Sequence, residues 1–244
     1  MPFAIFKRIS LALCLSLALS VASIFAQSGS KSMGSDAKMG GSLELLSKND
    51  SGKYSKKGWN HYGPGHFTLD EDAGVLTAHG GMGLFWYSPQ MFGDFELELD
   101  FMCDQDDTNS GIFVRVPYVP TSDDYIYDCF EIQIYDAALA EGKQHVMHEG
   151  AAPMDPTMKH ATGAIYDAKQ PTKLASLGPN KWNHYKITCK GSNYKIELNG
   201  VVVNDWDVQP AGKVKSFSPK GYVGLQNHEG GGSVHFRNIR VKEL

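Results

Sequence analysis

The stretch Glu131-Ile132-Gln133-Ile134-Tyr135 sets a carboxylate, an amide and a phenol at every second position, with isoleucines between them. Phe113 and Arg115 alternate in the same way with Ile112, Val114 and Val116, while Tyr222, Gln226 and His228 alternate with Val223 and Leu225. A plain solvated sheet face would tend to carry Lys, Thr, Ser and Glu at such positions. Rings beside planar hydrogen-bonding groups suit a hydroxyl-rich ligand instead. The rings cover apolar C–H faces, and guanidinium, amide and carboxylate groups fork onto pairs of hydroxyls. A sugar is the ligand class these residues fit, with a solvated sheet face carrying chance polar residues as the alternative.

What such a site could do to a sugar is limited by its carboxylates. A retaining or inverting glycosidase needs two carboxyls, about 5 Å or about 6.5–9.5 Å apart. Same-face neighbours on a strand lie roughly 6.6 Å apart, so the partner of Glu131 would be position 133. Gln133 stands there, and an amide serves neither as acid nor as nucleophile. Ordinary two-carboxylate hydrolysis is disfavoured. Ser110 in Asn109-Ser110-Gly111 has no G-x-S-x-G elbow around it, so Gly111 reads as easing a turn into the strand, with Asn109 at its mouth. Gly230-Gly231-Gly232 has no helix after it that could seat a phosphate and reads as a hairpin loop. His145-x-x-His148-Glu149 and His160 lie in one long connection, a natural place for a lid or a metal ligand. They complete no metal motif, so a divalent metal stays possible and no cofactor is assigned. His61, His66 and His79 read as surface residues, and His184 and His235 as water-facing. Trp59, Trp86 and Tyr62 could stack on a sugar, whereas Trp182 and Trp206 read as packing residues.

Strands must position these groups. Phe95 to Phe101 alternates strictly, the mark of a strand with one buried and one wet face. Tyr185, Ile187 and Cys189 alternate with His184, Lys186 and Thr188. Tyr194 to Leu198, then Asn199-Gly200, then Val201 to Val203 spells a hairpin with a tight primed turn. Val234 and Phe236 open a last strand. Many short strands without a helical period predict an all-β sandwich of two antiparallel sheets. Only 136–160 lacks strand alternation, as a short helix or a functional loop would.

Lys7 and Arg8 precede an apolar run from Ile9 to Ala22, and Ala26 is a plausible cleavage position, so 1–26 reads as a secretory signal. Residues 27–42 are small and polar apart from two methionines and read as a flexible tether, leaving one domain over 43–244. A periplasmic or extracellular location follows, with no membrane span after cleavage. Removing the leader takes away Lys7 and Arg8 and no acid, so the net charge of −4 becomes −6. No basic block suggests nucleic acid. The mature chain keeps Cys103, Cys129 and Cys189, which excludes a disulfide framework. Cys129 shares the parity of Glu131.

Several blocks together resemble one family. Asn109-Ser110-Gly111-Ile112-Phe113-Val114-Arg115, Glu131-Ile132-Gln133, Thr162-Gly163-Ala164-Ile165-Tyr166, Trp182-Asn183, Leu198-Asn199-Gly200, Gly224-Leu225-Gln226-x-His228 and Phe236-Arg237-Asn238-Ile239-Arg240 resemble, in order, the motifs of the 3-keto-disaccharide hydrolase domain family. The opening Leu45-Leu46-Ser47-Lys48-Asn49-Asp50 departs from the family's L-F-x-G-x-x-L. The resemblance implies a concanavalin A-like jelly-roll sandwich acting on oligosaccharides or glycosides oxidised at C3. A C3 ketone acidifies the C2 proton, so one base and an oxyanion stabiliser suffice for elimination of the C1 aglycone. On that reading Glu131 or a histidine is the base, Arg115 stabilises the enolate, and His228 belongs to the catalytic set. Asn109, Gln133, Tyr135, Gln226, Phe113 and His160 would bind substrate. A non-catalytic carbohydrate-binding sandwich is the alternative, since rings and hydroxyl-directed bonds need no titrating base.

Overall fold

The computed structural model describes residues 38–39, 41–137, 156–230 and 232–244. Its strands are β1 (Lys38–Met39), β2 (Ser42–Glu44), β3 (Ser47–Lys48), β4 (Tyr54–Ser55), β5 (Trp59–Tyr62), β6 (His66–Asp70), β7 (Val75–His79) and β8 (Gly83–Tyr87). They continue with β9 (Phe95–Cys103), β10 (Ser110–Val116), β11 (Phe130–Ile134), β12 (Asn183–Lys190), β13 (Asn193–Leu198), β14 (Val201–Asp207), β15 (Tyr222–Asn227) and β16 (Val234–Glu243). Short 3-10 turns, η1 (Asp123–Tyr127) and η2 (Pro156–His160), interrupt the loops. The architecture is all-β, in two main antiparallel sheets. One runs β1-β2-β16-β9-β12-β13-β14, with β7 also paired to β16 and β6 to β7; the other runs β11-β10-β15-β8-β5.

The core lies between the sheets. β9 buries every second residue, Phe95, Leu97, Leu99, Phe101 and Cys103, against Ile112, Val114, Ile132, Ile134 and Leu225 of the five-stranded sheet. The Asn199-Gly200 hairpin forms as the sequence predicts: both residues have positive φ, 52° and 78°, the requirement of a primed two-residue turn. All three described cysteines are buried and free.

Two expectations are corrected here. Lys38 and Met39, assigned above to the tether, pair with Leu43 and Ser42, so paired backbone begins at 38. The strands β5 to β8 were hidden in a glycine-rich stretch. In β8, Gly83-Leu84-Phe85-Trp86-Tyr87, all five residues are buried, so no alternation betrays it. The reason is a second cover. Leu84, Trp86, Phe113, Val116 and Cys129 form a smaller cluster on the outer face of the five-stranded sheet, roofed by Tyr125 of η1. Trp86 and the core residue Trp59 are therefore packing residues and not open stacking platforms.

Candidate active site

The outer face of the five-stranded sheet carries the polar residues that the alternation singled out. Gly111 pairs with Gln133, and Phe113 with both Glu131 and Gly224. Gln226, two residues beyond Gly224, pairs with Leu84. Glu131, Gln133, Phe113 and Gln226 thus share one face. Gly111 makes room for the acid: a Cβ there would lie 2.3 Å from Glu131 Oε1 and 2.6 Å from its Cγ. Gly111→Ala is therefore expected to displace the carboxylate and lower turnover by about 10²-fold, the usual cost of misplacing a reacting group by an ångström. Steady-state assays of folded variant check this.

Glu131 is 4% exposed. Its Oε2 accepts a hydrogen bond from Lys213 Nζ at 3.1 Å. With the amide nitrogen of Gln133 turned inward, it donates to Ser110 O at 3.1 Å and reaches Glu131 Oε1 at 3.3 Å, leaving the amide oxygen toward Asn109. Burial raises the Glu131 pKa above the ordinary 4.5, and the charge and hydrogen bond of Lys213, with the more distant His228, offset part of that rise. A single carboxylate poised in this way is a general base in form.

Lys213 is the residue that the sequence reading missed. It sits in the two-residue turn Gly212-Lys213, closed by reciprocal Ala211–Val214 backbone bonds of 3.1 and 3.0 Å. Its ammonium lies 4.2 Å from the ring centroid of Tyr166 and 5.8 Å from that of Phe113. Tyr166 is fixed because the 163–166 segment runs along the edge of β11, with Gly163 N bonded to Gln133 O and Tyr166 N to Glu131 O. His160 stacks on Tyr166, centroids 4.6 Å apart, so it belongs to the rim and not to the base. Tyr135 lies just past β11, half-buried, its backbone tied to Thr162.

Arg115 does not belong to this site. The β10–β15 register shifts between Phe113 and Val116, and Arg115 takes a left-handed φ of 57°. The bulge hands the outer face from Phe113 to Val116. It sends the guanidinium to Gly93 O (3.0 Å), Gly191 O (2.7 Å) and Asp94 Oδ1 (3.1 Å), over the core residue Tyr194. The enolate role assigned to Arg115 is withdrawn for that reason.

His228 follows the end of β15, with Nδ1 at 2.7 Å from Glu229 O. Together with Asn109 it walls a cavity of about 130 Å³ under the glycine-rich loop, whose lining does not include Glu131. Gln226 Oε1, Trp86 Nε1 and Tyr125 OH are buried on this side of the sheet without a hydrogen-bond partner among the described residues. Such atoms cost stability until a ligand or water meets them. Cys129 lies beneath the site and donates to Tyr125 O. No three His, Cys, Asp or Glu side chains converge as metal ligands among the described residues. His145, His148 and Glu149 lie outside the described residues.

An antiparallel sandwich with one buried acid among amides and rings on its outer sheet face places this molecule among carbohydrate-active β-sandwich proteins. More narrowly, the chain belongs to the 3-keto-alpha-glucoside-1,2-lyase-like domain family, which it matches over residues 47–242. It is similar to a solved Parabacteroides distasonis protein described as a "putative glycosyl hydrolase", at 27% identity and a TM-score of 0.64, covering 83% of this chain and 99% of that one. A second protein of that organism and description is 19% identical, TM-score 0.62, over 84% and 94% of the two chains. A Bacillus subtilis protein of unknown function with a galectin-like fold is 15% identical, TM-score 0.54, over 83% and 94%. These last two bear on the fold alone. No curated protein matches the chain.

Proposed function

We propose that the protein cleaves the glycosidic bond of 3-keto-glycosides by ketone-assisted elimination, with Glu131 as the base. The observation that carries this reading is the buried carboxylate of Glu131 on the outer sheet face with an amide, Gln133, at the position a second acid would need. Glu131 takes the C2 proton, and the C2–H electron pair forms a C2–C3 double bond as the C3 carbonyl becomes an oxyanion. The oxyanion then re-forms the ketone, C1–C2 becomes the double bond, and the C1–oxygen bond to the aglycone breaks. The departing oxygen takes up a proton, and water can add back to the resulting 2-hydroxy-glucal. Gln133, Gln226 and Asn109 hold hydroxyls, and Gln226 Oε1 gains the partner it lacks. His160 and Tyr166 form the rim, and His228 borders the neighbouring cavity. The first 26 residues support export to the periplasm or beyond. Among the described residues no helix is long and apolar enough to cross a membrane.

The test compares a 3-keto-disaccharide with its unoxidised parent, using mature protein before and after chelator treatment. Consumption of the keto form alone is expected. Cleavage of the parent at an equal rate would overturn ketone assistance. If folded, metal-replete protein leaves both intact, a carbohydrate-binding sandwich becomes the better reading.

A further inference from the structure

We propose that Lys213 is a second catalytic residue, whose ammonium stabilises the enolate's negative charge as Glu131 is neutralised by the C2 proton. The inference rests on the reading above, that Glu131 removes the C2 proton. Four observations lead to it. First, the guanidinium that the strand pattern offered for this task is spent elsewhere, on Gly93 O, Gly191 O and Asp94. Second, Lys213 Nζ lies 3.1 Å from Glu131 Oε2, so a substrate that puts its C2 proton on that carboxylate brings its C3 oxygen within reach of the same ammonium.

Third, Lys213 is the outer member of the pair: its side chain is 19% exposed against 3% for Glu131, so a ligand arriving from solvent meets it first. Fourth, its place does not depend on Glu131 being charged. Gly212, with φ of 56°, fits so closely that a Cβ there would lie 2.6 Å from Asp167 O. The turn is thereby seated on the 165–169 segment, which β11 holds through Ile132 and Ile165. The rings of Tyr166 and Phe113 flank the ammonium as well.

Charge conservation supplies the chemical argument. The resting pair is carboxylate plus ammonium, neutral overall in a buried setting. After proton transfer the site holds a neutral acid, an ammonium and an enolate, again neutral overall. Without the cation, the site would hold an uncompensated anion throughout, first as carboxylate and then as enolate, beside Phe113, Cys129 and Tyr125, which a low-dielectric cluster strongly opposes. On collapse, the protonated Glu131 passes its proton to the leaving oxygen. The enolate charge returns to the carboxylate beside Lys213, and the pair is reset.

The test uses full-length mature protein and methyl 3-keto-α-glucoside, with methanol release followed across pH. Lys213→Met is expected to lower the plateau rate by about 10²- to 10³-fold, the usual cost of an oxyanion donor, with the rate taken per folded molecule as a thermal melt establishes it. Lys213→Arg, which keeps the charge, should stay within about tenfold of wild type. A Lys213→Met plateau equal to wild type, with only the acid limb moved to higher pH, would show that Lys213 merely tunes Glu131; the inference falls and the function stands. If the wild type itself releases no methanol, both fall. Should Lys213→Met not fold, Lys213→Gln is read by the same criteria.

Discussion

Glu131→Gln should lower turnover of a 3-keto-glycoside by at least about 10³-fold while the protein still folds, because the amide fits the same space and cannot take a proton. Far-ultraviolet circular dichroism and a thermal melt establish folding, and product release measures the loss. A variant within tenfold of wild type would transfer the base role to another group, with His228, whose charge acts on Glu131, the next candidate. The pH dependence follows from the sign of the shift. Burial raises the Glu131 pKa above 4.5, so the wild-type acid limb should lie above that value and vanish in the variant's residual rate. The same shift has a stability consequence of fixed sign. The folded state holds this proton more tightly than the unfolded chain. The protonated acid's advantage is full below about 4.5 and is lost as pH rises through the folded pKa. Glu131 is therefore maintained at some cost to stability above that window, as expected of a functional acid.

Arg115→Met should do the opposite: destabilise by about 3 kcal/mol, yet leave the rate per folded molecule within about twofold. The substitution removes two charge-assisted hydrogen bonds, to Gly93 O and Gly191 O, each worth about 1.5–3 kcal/mol, an upper figure since Gly191 and Asp94 are exposed enough to be rehydrated. Urea midpoints and activity normalised to folded protein separate the two effects. A stable but inactive variant would return Arg115 to the site.

These two residues mark how far the sequence alone can be read. Strict alternation exposed β9, β12 and β13, because one face of each meets the core and the other meets polar surroundings. The same logic singled out Glu131, Gln133, Phe113 and Gln226 as neighbours, since sheet pairing preserves parity across strands. It failed at Arg115, because one bulge reverses parity within β10 and nothing in the local composition announces it. It failed again at β8, where cover on both faces erases the period. Lys213 left no trace at all. It lies in a loop 82 residues from its partner, and only the docking of one turn on another brings them together.

The last strand governs when any of this can exist. β16 pairs along one side with β9 and along the other with β7 and β2. A chain emerging in order from the ribosome therefore carries three strands with open hydrogen-bonding edges until residues 234–243 appear. Local hairpins such as β13–β14 can close early, but the larger sheet must wait for the strand that joins β9 to β7 and β2. Truncation before Val234 should accordingly cost the whole sandwich rather than a frayed end, and holding back those ten residues would keep the polypeptide threadable.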